Sequence, residues 1–326
     1  MLVQTRLSEL NGYLPERFVF AFCTSYEERT LCALRAISPT RLAKVIAFKH
    51  VDSDVDRSGV DEQVKEALQG VTTDPFPLKK EVPTYTADQI YTSLIAVARQ
   101  KLPLVVDIST FTHESLLIFI AAIDAHRVLR DRTTLLYVFA EEYAINIADP
   151  ARKWLSRGIR SVRPVLGFPG EVIPGRKTHL IALVGFDHDR IIQIWDDLEP
   201  EHFSVGITTT TLGDRGEIRK STKLAAERIQ ERIPRSNVFE FDCGLPEGAA
   251  KAVKEVAARY PKSNIIIAPL NNKISTVGVG IGALKERSYQ LCYAPALIYN
   301  AEGYSRASSN IAIFKFSDVA KNLASL

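Results

Sequence analysis

Short apolar runs alternate along this chain with longer stretches whose apolar residues recur at helical spacing. Phe18–Cys23 (FVFAFC) is apolar throughout and leads through Thr24-Ser25-Tyr26-Glu27-Glu28-Arg29 into a helical pattern from Thr30 to Ile37. Strand Ala43–Phe48, a polar helical stretch from Val60 to Gln69 and a weak strand signal near Leu78–Val82 follow. Then come a helix from Ala87 to Gln100, strand Leu104–Ile108 and a strongly apolar helix from Glu114 to Leu129. The same order restarts at His179–Gly185 (HLIALVG). It runs through helix Ile191 to Leu198, strand Phe203–Thr208, helix Lys220 to Arg232, strand Val238–Asp242 and helix Gly248 to Tyr260. Strand Asn264–Ala268 and a glycine-containing helix from Ile274 to Lys285 complete it. Each half then offers a strand carrying a spaced tyrosine pair, Tyr137 and Tyr143 or Tyr293 and Tyr299. Each closes on one more strand-like run, Ile159–Leu166 or Asn310–Phe316.

Apolar strands of four to six residues alternating with longer helical patterns predict parallel sheets covered on both faces. The repeated order predicts two tandem Rossmann-like α/β lobes with mainly parallel sheets, related by internal duplication. Residues 1–172 would form the first, with a short N-terminal extension, and 178–326 the second. The turn-rich stretch from Gly167 to Gly175 would join them.

Composition adds exclusions. Of 326 residues, 41 are basic and 38 acidic, for a net charge of +3. Neither half has the basic excess of a dedicated nucleic-acid binder, so direct nucleic-acid binding is not favoured. No apolar run approaches the length of a membrane span. The first eleven residues lack the pattern of a signal peptide. The four cysteines form no CxxC pair and read as buried reduced thiols, so a cytoplasmic protein is expected. The six histidines make no HxxxH or HExxH, which leaves no metal site and no cofactor expected.

Ligands of open parallel sheets bind at the carboxyl ends of the strands. Three features fall there, and a fourth lies in the connecting segment. The first is Asp107-Ile108-Ser109-Thr110-Phe111-Thr112-His113, where hydroxyls and helix-start amides can hold an anion and His113 can act as acid or base. The same residues would also serve as an ordinary helix cap. The second is Leu270-Asn271-Asn272-Lys273-Ile274-Ser275-Thr276, offering a lysine point charge and amides, followed by Gly278, Gly280 and Gly282. The glycines suit either close helix packing or a close ligand approach. The third is the pair of turns Ser25 to Arg29 and Gly185 to Arg190, whose acids complement a helix start. Glu141, Glu142 and Asp149 could extend an acidic site. The fourth is Arg152 to Arg163, which holds five basic residues and a tryptophan with no acid. It reads first as a solvated connecting helix and second as a phosphate-tracking or partner surface.

The motifs VVDISTFTHES and IIAPLNNKISTVGVG resemble the ligand loop of CRISPR-associated Rossmann-fold (CARF) domains, and two such lobes in one chain are similar to SAVED sensors. Proteins of these families bind cyclic oligonucleotides during phage infection and switch an effector. The resemblance implies a ligand set of Ser109, Thr110 and Thr112 with Ser25 in one lobe. In the other it implies Gly185, Asn271, Asn272 and Lys273; Ser275 and Thr276 of the same loop complete the candidate ligand residues. The chain departs from the pattern: no Thr-Gly-Gly-Thr-Lys loop occurs, and the first loop lacks a lysine. Both lobes consume the chain, so the output is expected to belong to a separate effector subunit.

Three functions are therefore carried forward. The first is a nucleotide-ligand sensor or scaffold in bacterial anti-phage defence. The second is an enzyme on a nucleotide or nucleoside, with Glu28, Asp107, His113 or Glu141 as acid or base. The third is a purely structural subunit of a defence complex. Loops rich in hydroxyls and amides favour the first. A homo-oligomer is left open, and no membrane partner is expected.

Overall fold

Phe18, Phe20 and Phe22 project from one face of their strand while Val19, Ala21 and Cys23 project from the other, and all six are buried. A strand apolar on both faces needs a helical layer on each side, and the fold supplies them. The computed structural model describes residues 1–52, 58–68, 70–149, 152–210 and 216–325. They divide into one unit of Met1–Glu141 with Ser305–Lys321 and another of Glu142–Tyr304 with Asn322–Leu326.

In the first unit the strands are β1 (Val3–Arg6), β2 (Phe18–Thr24), β3 (Leu42–His50), β4 (Thr73–Leu78), β5 (Leu104–Asp107) and β6 (Thr133–Tyr143). The helices are α1 (Arg29–Ala36), α2 (Ser58–Ala67), α3 (Pro83–Arg99), α4 (His113–Ala125) and the single turn α5 (Arg127–Arg130). In the second, β7 (Ser156–Ile159), β8 (Arg163–Pro169) and β9 (Lys177–Leu183) precede α6 (His188–Leu198) and β10 (His202–Thr208). Then follow α7 (Glu217–Arg232), β11 (Asn237–Phe241), α8 (Pro246–Ala257), β12 (Ser263–Pro269), α9 (Lys273–Lys285), β13 (Gln290–Tyr293) and β14 (Ala296–Tyr299). The chain ends with β15 (Ser305–Lys315) and α10 (Phe316–Ala324).

The first sheet runs β1-β15-β6-β5-β2-β3-β4 and the second β11-β10-β9-β12-β13-β8. From β4 to β6 and from β11 to β13 the order is the same, and each of these neighbours pairs in parallel. Numbered by themselves, these five parallel strands read 3-2-1-4-5 in each sheet, the Rossmann arrangement. The two Rossmann-like lobes read from the sequence are thus present in their five parallel strands.

In the first unit Leu31 and Leu34 of α1 and Val64 of α2 join the three β2 phenylalanines in one core. On the opposite face Phe48, Phe111 and Phe119 pack with ring centroids 5.6 to 5.7 Å apart. Helix α4 is buried from Glu114 to Ile123, which explains a helix apolar all round its circumference. In the second unit α6 and α7 cover Leu180, Ala182 and Val184, while α8 and α9 pack against each other. Gly278 permits that crossing: a Cβ built there would lie 1.8 Å from the Pro246 carbonyl oxygen.

The structure departs from the sequence reading in four places. The expected division near residues 167–175 lies inside the second unit, between β8 and β9. The last strands are exchanged: β8 lines the second unit's sheet, antiparallel to β13, and β15 lines the first unit's. The weak strand near Leu78–Val82 is β4, earlier in sequence, and carries Pro75 and Pro77. It is an edge strand, the one sheet position that tolerates missing N–H groups. The basic run Arg152 to Arg163 is no helix. It contributes β7, which pairs antiparallel with β14 in a two-stranded ribbon. In addition, β1 and α10 escaped the sequence reading.

All four cysteines are free, with Cys32 half-buried and the others buried. Burial pushes the Cys32 thiol up to about 11 and the Cys292 thiol up to about 12. Among the described residues no helix is long and apolar enough to cross a membrane. Nor do any three or more His, Cys, Asp or Glu side chains among them cluster as a metal site.

Toward the amino ends of β9 and β10, His179 and His202 both pack against the Tyr260 ring, at 4.3 and 4.5 Å, with their own rings 6.1 Å apart. His179 is fully buried, with Nε2 2.9 Å from Ser204 Oγ. Burial, aided by His202, pushes its pKa down to about 4. The unfolded chain therefore binds more protons between that value and about 6.5, the ordinary histidine value. This contribution to stability is complete above about pH 6.5 and is lost as the pH falls toward 4. Urea titrations of the wild type across this range are expected to show a loss of roughly 2–3 kcal/mol that His179→Gln removes. An unchanged slope in the variant would show that another group drives it.

Candidate functional site

The strand order reverses between β2 and β5 in the first unit and between β9 and β12 in the second. The loops leaving these strands hold most of the residues singled out by sequence. In the first unit Ser25 is buried: its N–H donates to Thr30 Oγ1 at 3.1 Å, and its own hydroxyl accepts from the Glu27 N–H at 3.4 Å. Asp107 accepts from both the N–H and the hydroxyl of Ser109, at 2.9 and 2.5 Å. The same Ser109 oxygen accepts from the Val138 N–H at 2.8 Å, so Ser109 braces β5 against β6. Thr110 donates to the Cys23 carbonyl at 2.5 Å across the strand-order reversal. Thr112 caps α4 by accepting from the Ser115 N–H. His113 stands half-buried in the first turn, Glu141 is half-buried on β6, and the exposed Glu28 accepts from the Ala307 N–H at 3.0 Å. Asp107 is 1% exposed. Burial raises its carboxyl to about 6 against the opposing pull of the Ser109 donors and Arg29.

The second unit repeats the pattern with other side chains. Asn271 donates to the Val184 carbonyl at 2.5 Å, across the reversal again. Asn272 caps α9 by accepting from the Ser275 N–H at 2.8 Å and donates to the Cys243 carbonyl at 3.0 Å. Ser275 and Thr276 are fully buried and both donate to the Asn272 carbonyl. Gly185 lets the two loops touch, since a Cβ there would lie 2.6 Å from the Leu270 carbonyl oxygen. Lys273 is half-buried at the first position of α9. In both units, then, the candidate hydroxyls and amides spend bonds on the backbone of the strand-to-helix turns.

The acids and arginine that follow the first strand of each unit form a repeated clip. Arg29 binds the Glu27 carboxylate, reaches the Val138 carbonyl at 3.2 Å and lies 5.7 Å from the Tyr137 ring centroid. Ser305, the first residue of β15, donates to Glu27 at 3.1 Å. Arg190 donates to the Ala294 carbonyl at 2.5 Å, lies 5.7 Å from the Tyr293 ring and sits 3.9 Å from Asp187. Ser156, the first residue of β7, donates to Asp187 and accepts from Arg190. In each unit a carboxylate, buried at Glu27 and half-buried at Asp187, and a buried arginine thus tie the loop after β2 or β9 to the carbonyl of the residue after a tyrosine and to the serine that opens a distant strand. The early tyrosines of the two spaced pairs are the stacking partners.

Beside the second clip lies a cleft of roughly 270 Å³ at the carboxyl end of β9. Arg152, Lys153, Trp154, Ser156, Arg157, Phe186, Asp187, His188, Asp189 and Arg228 line it. Its floor is pinned. The Asp187 carboxylate accepts from the N–H groups of Leu155 and Ser156, at 2.9 and 3.1 Å. Lys153 Nζ is held by Glu217 at 2.6 Å, the Tyr143 carbonyl at 2.7 Å and Glu142 at 3.4 Å. These bonds fix the 152–157 segment so that Arg152 and Arg157 stand exposed above it. The Arg157 guanidinium lies 4.3 Å from the Trp154 ring centroid. His188 Nε2 is 3.2 Å from Asp189, and burial, together with Arg228, holds its pKa below the ordinary histidine value. Lys153 is paired with two glutamates, and the rest of the lining sets Arg152, Arg157 and Arg228 against Asp187 and Asp189, a small cationic excess. The sequence signal for this cleft was the acid-free basic run. The helical reading hid it, because helical spacing would have scattered these side chains.

A two-unit Rossmann-like α/β protein with a pinned basic cleft at one sheet's carboxyl end is the class that fold and site define. No protein-family model matches the chain, and comparison with curated proteins gives no match. Among solved structures, the UDP-GlcNAc 2-epimerase from Neisseria meningitidis, bound to UDP-GlcNAc, is similar at 12% identity and a TM-score of 0.24, over 78% of this chain and 77% of that one. A lipopolysaccharide outer core galactosyltransferase in its apo form gives 8% identity and a TM-score of 0.23, over 84% and 92%. An O-ureido-L-serine synthase gives 12% and 0.21, over 82% and 77%. None of these likenesses is close enough to argue from, and the fold stands on its own strand order.

Proposed function

We propose that this protein holds a phosphate-bearing, nucleotide-type ligand in the basic cleft of the second unit and acts as a sensor or scaffold rather than as a catalyst. One observation carries the reading: Arg152, Arg157 and Arg228 line a cleft at the carboxyl end of β9, on a segment fixed from below. Guanidinium groups bind phosphate through paired donors, and a rigid platform lowers the ordering cost of binding. The carboxylates nearby favour holding over turnover. Asp187 is taken up by backbone N–H groups, and Asp189 sits 3.2 Å from His188 Nε2. Occupancy would be reported to a separate effector subunit, the output implied by the resemblance to anti-phage sensors.

Calorimetry of the wild type with AMP, linear pApA and cyclic di-adenylate at low salt is expected to give saturable binding by at least one of them. Chromatography of the recovered ligand is expected to return it unchanged. Silence across the panel would count against the ligand, and steady consumption would convert the reading to an enzyme.

A further inference from the structure

We propose that the Trp154–Arg157 stack is a base-binding platform, so that the cleft selects purine nucleotides over other phosphate esters; this rests on the basic cleft being the phosphate site. Three observations converge. First, the Arg157 guanidinium lies 4.3 Å from the Trp154 ring centroid, and both residues line the cleft. A flat cation over an indole is a surface on which a base extends the stack, since every base offers a π-face. Second, the β7–β14 register sets Ile298 directly across from Arg157. Directly opposite residues in an antiparallel pair share a face with their Cβ atoms about 5 Å apart. Ile298 is 59% exposed, an apolar side chain left uncovered beside a charged stack. Third, arginines able to bind phosphate lie in the same lining: Arg152 on the same segment and Arg228 from α7. The site therefore offers an anion-binding half and a flat apolar half, which matches a nucleotide and exceeds what a bare phosphate or a sugar phosphate can use. Stacking strength grows with ring area, so a purine gains more than a pyrimidine.

The chain has two tryptophans, Trp154 and Trp195. In a Trp195→Phe background Trp154 is the sole indole, and its fluorescence reports the platform directly. Titration with AMP, UMP and ribose 5-phosphate is expected to show AMP quenching the emission and binding at least tenfold tighter than ribose 5-phosphate, with UMP between them. Competition calorimetry on Trp154→Ala is expected to lower AMP to the affinity of ribose 5-phosphate while leaving the sugar phosphate unchanged. Trp154→Phe, which keeps a ring, is expected to restore most of the difference. If AMP and ribose 5-phosphate bind equally and Trp154 emission does not move, the platform is overturned while the phosphate site stands. If neither binds, the phosphate site itself fails and the platform with it.

Discussion

Arg29→Met is expected to destabilise the first unit by about 3–5 kcal/mol. Arg29 and Glu27 are 3% and 8% exposed, and each is the other's main counter-charge. Methionine preserves the stem but leaves the Glu27 carboxylate buried with the Ser305 hydroxyl as its remaining side-chain donor. The Val138 carbonyl loses its Arg29 donor as well. A buried charge without its partner costs more than the pair contributes, so the loss is asymmetric. Adding Glu27→Gln to Arg29→Met should recover part of it, and a double-mutant cycle by urea denaturation measures how much. A loss under 1 kcal/mol for the single variant would show that the clip does not hold β15 to its sheet. Arg190→Met should act likewise in the second unit through the Ala294 carbonyl and Ser156.

Gly278→Ala carries the second large effect. The new methyl group would sit 1.8 Å from the Pro246 carbonyl oxygen and 2.5 Å from its carbon, both backbone atoms of α8. Neither can rotate away, so α8 and α9 must separate along their whole crossing. Overpacking of this kind costs roughly 3 kcal/mol or more. Gly282, one turn on, gives the control. There the methyl group would meet the Ala250 Cβ at 3.4 Å, an ordinary contact. Gly282→Ala should be neutral or stabilise by up to about 1 kcal/mol through helix propensity. Equal melting temperatures for the two variants would contradict the packing described for this pair of helices.

The elements legible in the sequence are those whose signal is local. β2, β5, β9 and β12 are short and apolar on both faces. The cap of α4 could be read, as one of Ser109, Thr110 or Thr112, because a cap needs only its next three residues, whereas Asn272 read as a ligand-binding amide and caps α9. What stayed hidden depends on distant partners. β8 and β15 each look like an edge strand, and nothing local says which sheet takes which, so the exchange was invisible. β4 was blurred by Pro75 and Pro77, which an edge position allows. The clip showed as repeated acids and an arginine, but its purpose lies in the Tyr137 to Val138 stretch, more than a hundred residues away. The basic cleft was read as a helix because four-residue strands are too short to show alternation. Ile298 gave no signal at all, since its role comes from its register with Arg157.

The claim most open to direct test is that the basic cleft is the ligand site. The measurement is the affinity of the tightest ligand from the adenylate panel for an Arg152→Glu, Arg157→Glu double variant, with folding verified by circular dichroism. Each lost charge-assisted hydrogen bond is worth about 1.5–3 kcal/mol. The affinity should therefore fall by at least roughly 100-fold. A folded double variant that binds as tightly as the wild type would contradict the account and move the ligand elsewhere.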